Sequence, residues 1–322
     1  MATTAATGQN ADTADLQAMS SPITTNKETP DASETPYSAF GRPTRWIIVC
    51  ITTVGMVLCS ISGQIYFPVM PILVAKYHMT PTLINLSMTT YMLIQGIAPA
   101  IVSNFADTCG RRPAWIMAFS IYTAANVGLA FQNSYAALMV LRCIQSAGGS
   151  VSSSLGYAVV ADISPRETRG QYVGIMSAGI MVPIALGPTI GGLLSHFLGW
   201  RSVFWFLVIG SGSYLLVYTV AVPETARQIV GNGSAAPAQW WGKSVIQHVS
   251  GSMRRAPSQN TAKLAFPNPL ECLSILRQQC ALMAILCFGV VFFGFTAVMT
   301  ATANRFGDIY HLNSFQVGLC YL

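Results

Sequence analysis

Seven stretches of this chain contain no Asp, Glu, Lys or Arg: residues 46–75, 77–106, 113–141, 143–161, 170–200, 202–223 and 278–304. A helix needs about 20 predominantly apolar residues to cross the hydrocarbon of a bilayer, and all seven are about that long or longer. Charged residues make up 9% of the 322 and hydrophobic ones 52%, where an average soluble domain carries roughly 25% charge. Those values exclude an ordinary soluble globule and a high-charge disordered tail as the main body. The 8 cysteines are scattered without a C-x-x-C pair, so neither a disulfide scaffold nor a thiolate metal site is written here.

The runs are too long and too uniformly apolar for barrel strands of about 10 alternating residues. In lipid the backbone must satisfy its own hydrogen bonds, which leaves helices. The fold class is therefore an all-α membrane protein. Spans are expected at 46–68, 82–104, 114–131, 136–160, 172–195, 202–222 and 281–303, and an eighth apolar run begins near Ser314 and stops within a few residues. The chain reads as a fragment or a truncated product. It divides into a disordered tail (1–45), a six-span bundle (46–222), a linker (223–278) and a last segment (279–322) holding the seventh span and the start of the eighth.

Lys and Arg concentrate on one side. The N-terminal segment and alternate loops hold Arg42, Arg45, Arg111, Arg112, Arg166, Arg169 and the basic run from Arg227 to Arg277, while the opposite loops hold only Lys76, Arg201 and Arg305. The positive-inside rule then puts the N-terminus in the cytoplasm. The net charge of +6 is this loop bias, with anionic lipid as a sufficient partner and no nucleic acid required. The tail lacks an apolar run, so the first span has to serve as the targeting signal. In the linker, Asn268-Pro269 before Leu270, Leu273, Ile275 and Leu276 predicts a short amphipathic helix along the inner membrane surface.

Arg142 alone places an unambiguous charge inside a span. At membrane depth it costs at least ~2.5 kcal/mol even on the lenient insertion scale, so it has to face protein or water. Gln145, three residues on, projects from the same helix face. Arg142 reads equally as a functional group and as a brace to neighbouring carbonyls. The glycines and serines from Gly148 to Gly156 form a small-residue face of the kind used for close helix packing. In the fifth span, Pro188 removes a backbone donor, and Gly187 and Gly191, one turn apart, allow another helix to come close.

Several motifs carry a resemblance. The loop Ser103-Asn104-Phe105-Ala106-Asp107-Thr108-Cys109-Gly110-Arg111-Arg112, the segment Leu138-x-x-x-Arg142-x-x-Gln145-Ser146-x-Gly148 and the run Gly174, Pro183, Gly187-Pro188-x-x-Gly191-Gly192 are similar to three signatures of the major facilitator superfamily. Ser103, Thr108, Ser146 and Pro183 stand where other residues are usual. Asp162, Pro165, Glu167, Arg169 and Gly170, then Trp200-Arg201-x-x-Phe204-Trp205, then Pro223-Glu224-Thr225 resemble fungal drug:proton antiporters with twelve spans. Tyr66-Phe67-Pro68 and Val230-Gly231-Asn232-Gly233-Ser234 point to the quinidine-resistance and citrate-exporter branch.

The resemblance implies the N-terminal six-helix bundle of such a transporter plus the start of the second bundle. It implies proton-coupled export of drugs or small organic molecules or acids by alternating access, at the plasma membrane, with no cofactor, no metal and no catalytic residue. Asp107, Gly110, Arg111 and Arg112 would form a cytoplasmic gate loop, Asp107 meeting a helix of the second half. The substrate and proton pathway would be lined by Gln64 and Tyr66 on the first span, Tyr91 and Gln95 on the second, and Arg142 and Gln145 on the fourth. Tyr91 and Gln95 are four apart and should share a face. No span contains Asp or Glu, so a proton-carrying carboxylate would be Asp107 or Asp162 at a cytoplasmic edge, or lie in the second half. Two other readings stay open, a seven-helix receptor and an inert truncated transporter; an enzyme finds no supporting motif, neither His-Glu-x-x-His nor Gly-x-Ser-x-Gly.

Overall fold

In the computed structural model, which describes residue 38 and residues 40–231, 277–310 and 314–320, every described element is helical. They are α1 (Arg42–Gln64), a 3-10 turn (Phe67–Val69), α2 (Met70–Tyr77), α3 (Pro81–Cys109), α4 (Arg111–Phe131), α5 (Tyr135–Ile163), α6 (Arg166–Phe197), α7 (Arg201–Ala221), α8 (Arg227–Val230), α9 (Gln279–Tyr310) and α10 (Ser314–Leu319). The tail expected to be disordered and the expected amphipathic linker helix lie outside the described residues, apart from the ends of each.

The helices begin and end where local chemistry allows. Pro sits in the first turn of α1, α2 and α3, where its missing N–H is harmless, and the Ser134 hydroxyl caps α5 by accepting from Ala137 N–H at 3.2 Å. The first span does not end at residue 68 as expected. It breaks at Ile65-Tyr66 and resumes through the 3-10 turn into α2. Pro68 and Pro71 explain the break, since neither can donate the helical bond to the carbonyl four residues back, Gln64 and Phe67.

Among the described residues, six helical segments are long and apolar enough to cross a membrane, by length and composition: Arg42–Tyr77, Pro81–Cys109, Arg111–Phe131, Arg166–Phe197, Arg201–Ala221 and Gln279–Thr302. The expected fourth span, α5, has the length at 29 residues but is not among them. Its buried side is polar and small, including Arg142, Gln145, Ser146, Gly148, Gly149, Ser152 and Gly156, and it packs against α4, α3 and α1 rather than standing alone. A Cβ at Gly148 would come within 2.7 Å of the Ala118 carbonyl oxygen and the Tyr122 nitrogen, so the small-residue face seats α4 at backbone distance. α5 is thus a central helix whose sequence answers to protein neighbours.

Two groups of buried side chains hold the bundle. One gathers Trp115, Phe119, Tyr122, Met56, Met176, Tyr214 and Tyr218, with Trp115 stacked on Tyr218 at 5.2 Å between ring centroids. The other gathers Ile65, Tyr66, Phe67, Met88, Tyr91, Phe204 and Leu207. Outward positions are apolar too, as at Ile209, Leu216, Phe288 and Phe293, which suits a surface against lipid.

Candidate functional site

Arg142 is fully buried, at 0% exposure, about two turns from the start of α5. Its Nη1 donates to the Ser62 carbonyl at 3.2 Å and to Gln145 Oε1 at 2.8 Å, and its Nη2 faces Met88 Sδ at 3.6 Å. Its guanidinium carbon lies 4.0 Å from the centroid of the Tyr66 ring and 4.2 Å from that of Tyr91. Each such contact is worth ~2 kcal/mol when water is excluded. No carboxylate contacts it among the described residues, and its Nε is buried without an acceptor. The charge is thus held by π faces, one carbonyl, one amide oxygen and a thioether.

A hydroxyl has one proton, and the hydrogen bonds around the two tyrosines fix where those protons point. Ser62 Oγ donates to the Cys59 carbonyl at 2.6 Å, so at 3.0 Å it accepts from Tyr91 Oη. Ser87 Oγ donates to the Ile84 carbonyl at 2.6 Å, so at 2.9 Å it accepts from Tyr66 Oη. Ser146 Oγ donates to the Tyr91 carbonyl at 2.6 Å. Gln145 Nε2 donates to Asn126 Oδ1 at 2.7 Å, and Asn126 Nδ2 to the Tyr122 carbonyl at 2.8 Å. The network therefore spans α1, α3, α4 and α5, with every named side chain on it buried.

Of the residues expected to line the pathway, the fold brings Arg142, Gln145, Tyr66 and Tyr91 together. Gln64 does not join them. It sits in the last turn of α1 against α6, its Oε1 buried with no partner. Gln95 is exposed whereas Tyr91 is 3% exposed, so the expected shared face breaks after one turn. Pro99 inside α3 also cannot donate to the Gln95 carbonyl. Sequence reasoning missed Asn126, Ser62, Ser87 and Met88. Asn126 carried a signal, the lone carboxamide of the expected span 114–131; the other three carried none.

The antiporter-like run lies on α6, an unbroken helix of 32 residues through Pro183 and Pro188, both buried with Gly187, Gly191 and Gly192. A Cβ at Gly187 would collide with Gln64 Cβ, and one at Gly191 with the Ile65 carbonyl oxygen, whereas one at Gly174 would meet nothing within 4 Å. The close approach expected of Gly187 and Gly191 is therefore made to the end of α1.

The gate-loop residues form a second cluster at the other end of the bundle. Gly110, at φ +112°, turns α3 into α4. Asp107 pairs with Arg111 at 2.6 Å, and Arg111 Nε with Asp162 Oδ2 at 3.1 Å. Arg227 Nε donates to the Asp162 carbonyl at 2.9 Å. Arg112, read from the sequence as a topogenic charge, is buried and donates to the Thr219 carbonyl. Among the described residues Asp107 meets Arg111, not a helix of the second half. Glu224 accepts from the backbone N–H groups of Arg111 at 2.9 Å, Arg112 at 3.2 Å, Thr225 at 3.0 Å and Ala226 at 2.9 Å. Burial pushes its carboxyl above the usual range, against the pull of those amides. Burial likewise raises Asp162, against the pull of Arg111.

The sequence matches the Major Facilitator Superfamily over residues 52–322. It is 38% identical over 296 residues to MFS-type transporter phiD of a fungal species, covering 90% of this chain and 45% of that protein. It is 36% identical to quinidine resistance protein 1 of Saccharomyces cerevisiae, covering 89% of this chain and 52% of that one, and 31% identical to citrate exporter 1 of Aspergillus niger, covering 94% and 58%. The chain spans about half the length of these relatives. Among solved structures, a bacterial homolog of the human lysosomal transporter Spinster, inward-facing and unoccupied, superposes with a TM-score of 0.60 at 16% identity, over 88% of this chain and 59% of that one. The human organic anion transporter MFSD10 gives 0.57 at 17% identity, over 86% and 68%.

Proposed function

Since this chain belongs to the major facilitator superfamily, we propose that Arg142 is the point at which a transported small molecule, or the proton coupled to it, engages the six-helix bundle. The observation that carries this is a guanidinium at 0% exposure with no carboxylate and an unused Nε donor. A buried charge left in that condition is costly, and a brace would be better made by a neutral side chain. Superfamily transporters bind substrate near the midplane between two bundles, and Arg142 lies two turns into α5 with its partners on α1, on α3 and at the turn after α1.

The names of the relatives supply two substrate classes to test, drug-like molecules such as quinidine and organic acids such as citrate. Proton coupling is the second part of the proposal. The carboxyls of half-buried Asp162 and buried Glu224, both raised, sit at the loop end that the distribution of basic residues assigns to the cytoplasm. Export at the plasma membrane by alternating access is the cellular reading, in keeping with the resistance and exporter relatives. Membership of a transporter family weighs against the receptor reading, which also needs an external N-terminus.

The test is flux in proteoliposomes under an imposed pH gradient, with labelled quinidine and labelled citrate run separately, for this chain and for the same chain joined to a second bundle. Arg142→Lys and Arg142→Met are expected to abolish gradient-dependent flux of whichever substrate moves. Full flux in Arg142→Met would sink the assignment of Arg142. Flux from the joined chain alone would favour the reading in which this chain by itself is inert.

A further inference from the structure

The break in the first span and the glycines of α6 meet at one place, and Arg142 lies on its far side. Ile65 and Tyr66 form the two-residue turn between α1 and the 3-10 turn. Ile65 N–H still bonds to the Ile61 carbonyl at 2.9 Å, and the Tyr66 carbonyl accepts from Val69 and Met70 N–H at 3.1 and 3.2 Å. Between those bonds lies the Ile65–Tyr66 peptide, and its carbonyl oxygen rests where a Cβ of Gly191 would stand. One residue on, the Tyr66 ring covers the Arg142 guanidinium, tethered beyond it to Ser87 Oγ.

From this juxtaposition we infer that Gly187 and Gly191 are positioning residues for Arg142: by letting α6 lie against Gln64 and Ile65 they hold Tyr66 over the guanidinium and keep it closed. The two glycines act on different atoms. At Gly187 an added methyl meets the Cβ of Gln64, a side-chain atom, with the backbone beyond at an ordinary 3.5 Å. At Gly191 it meets the Ile65 carbonyl oxygen, which belongs to the peptide joining Ile65 to Tyr66 and which no side-chain change removes. Helices that pack at glycine distance have no slack for a methyl group, so the displacement passes to the two-residue turn and its tyrosine. Small movements of α6 against α1 would, by the same linkage, open or close the cover on Arg142.

This deepens the assignment of Arg142 to the transport path, but its test needs no transport, so either can fail alone. The 322-residue chain, purified in detergent, is treated with phenylglyoxal, an arginine reagent, and labelling of Arg142 is followed by mass spectrometry of its peptide. Tyr66→Ala sets the rate for an uncovered guanidinium. Gly191→Ala and Gly187→Ala are expected to raise labelling about tenfold or more over wild type, the factor given by about 1.4 kcal/mol of local opening. Gln64→Gly is expected to return Gly187→Ala to the rate of Gln64→Gly alone and to leave Gly191→Ala fast. Gly174→Ala, in the same motif but with open space around it, should label like wild type.

The inference is overturned if Tyr66→Ala labels fast while Gly191→Ala does not. It is equally overturned if Gln64→Gly relieves both glycine variants or neither, because general loosening of the bundle would do that. If Gly191→Ala does not accumulate as folded protein, the Gly187→Ala and Gln64→Gly pair decides the matter.

Discussion

Glu224 closes the amino end of the helix that begins at Arg111, 113 residues earlier, accepting the Arg111 backbone N–H at 2.9 Å. The first amides of a helix have no intrahelical acceptor, and here those of Arg111 and Arg112 are met by a carboxylate delivered from the far end of α7. Gly110 makes room for it: a Cβ there would collide with the same carboxylate, and its φ of +112° disfavours any other residue. The loop after α3 and the segment after α7 are thereby one structural unit.

Glu224→Ala orphans two helix amides and the N–H groups of Thr225 and Ala226 together. The expected loss is about 2 kcal/mol of stability, at the upper end for a lost cap, read as a lower melting temperature in detergent. Gly110→Ala should be at least as damaging through backbone strain as well as collision. A melting temperature unchanged in both would mean that the cap contributes nothing.

The same carboxyl sets a pH dependence. Burial raises its folded-state pKa above the ordinary 4.5, so the folded protein holds that proton more tightly than the unfolded chain does. Its contribution to stability is complete below the unfolded value and is lost as pH rises through the folded one. Glu224→Gln has no such proton. The stability of wild type relative to Glu224→Gln should therefore fall between mildly acidic and mildly alkaline buffer, as measured by melting both proteins across that range. A relative stability that rises instead would show that the amide hydrogen bonds outweigh burial.

Asp107→Asn separates a structural from a gating role. The Asp107 side chain is 46% exposed and its ion pair with Arg111 is one turn long, so its removal should cost only about 0–1 kcal/mol of stability. If flux nevertheless falls by an order of magnitude or more, Asp107 acts in the transport cycle. If flux follows stability, the loop is a turn with charged ends.

Two glycines should respond in opposite directions to a methyl group. Gly148→Ala drives a Cβ into the Ala118 carbonyl and the Tyr122 backbone and should cost about 1–3 kcal/mol through overpacking of α4 on α5. Gly170→Ala, exposed on α6 with nothing within 4 Å, should gain about 0.5–1 kcal/mol from helix propensity. Thermal melts of the pair check both, and destabilisation by Gly170→Ala would point to a contact absent from this conformation.

Much was legible because lipid punishes error. A charge in hydrocarbon or an unpaired backbone group is costly enough that the charge-free stretches alone fix the helical class and turn Arg142 away from lipid, toward protein or water. The 3-to-4 spacing of a helix likewise puts Gln145 beside Arg142, as the 2.8 Å hydrogen bond bears out. The glycines of α6 announced a close approach, since only their lack of a Cβ gives them that use.

What the sequence could not decide is which helix approaches, and at what depth and rotation. Periodicity defines a face within one helix and says nothing of the partner across it. Tyr66 and Tyr91 converge on Arg142, Gln95 stays outside, α6 presses on the turn at Ile65, and Glu224 reaches the start of α4, because separate helices lock together through side-chain shape. Those choices are made by packing between segments more than a hundred residues apart in the chain, and only the assembled bundle contains them.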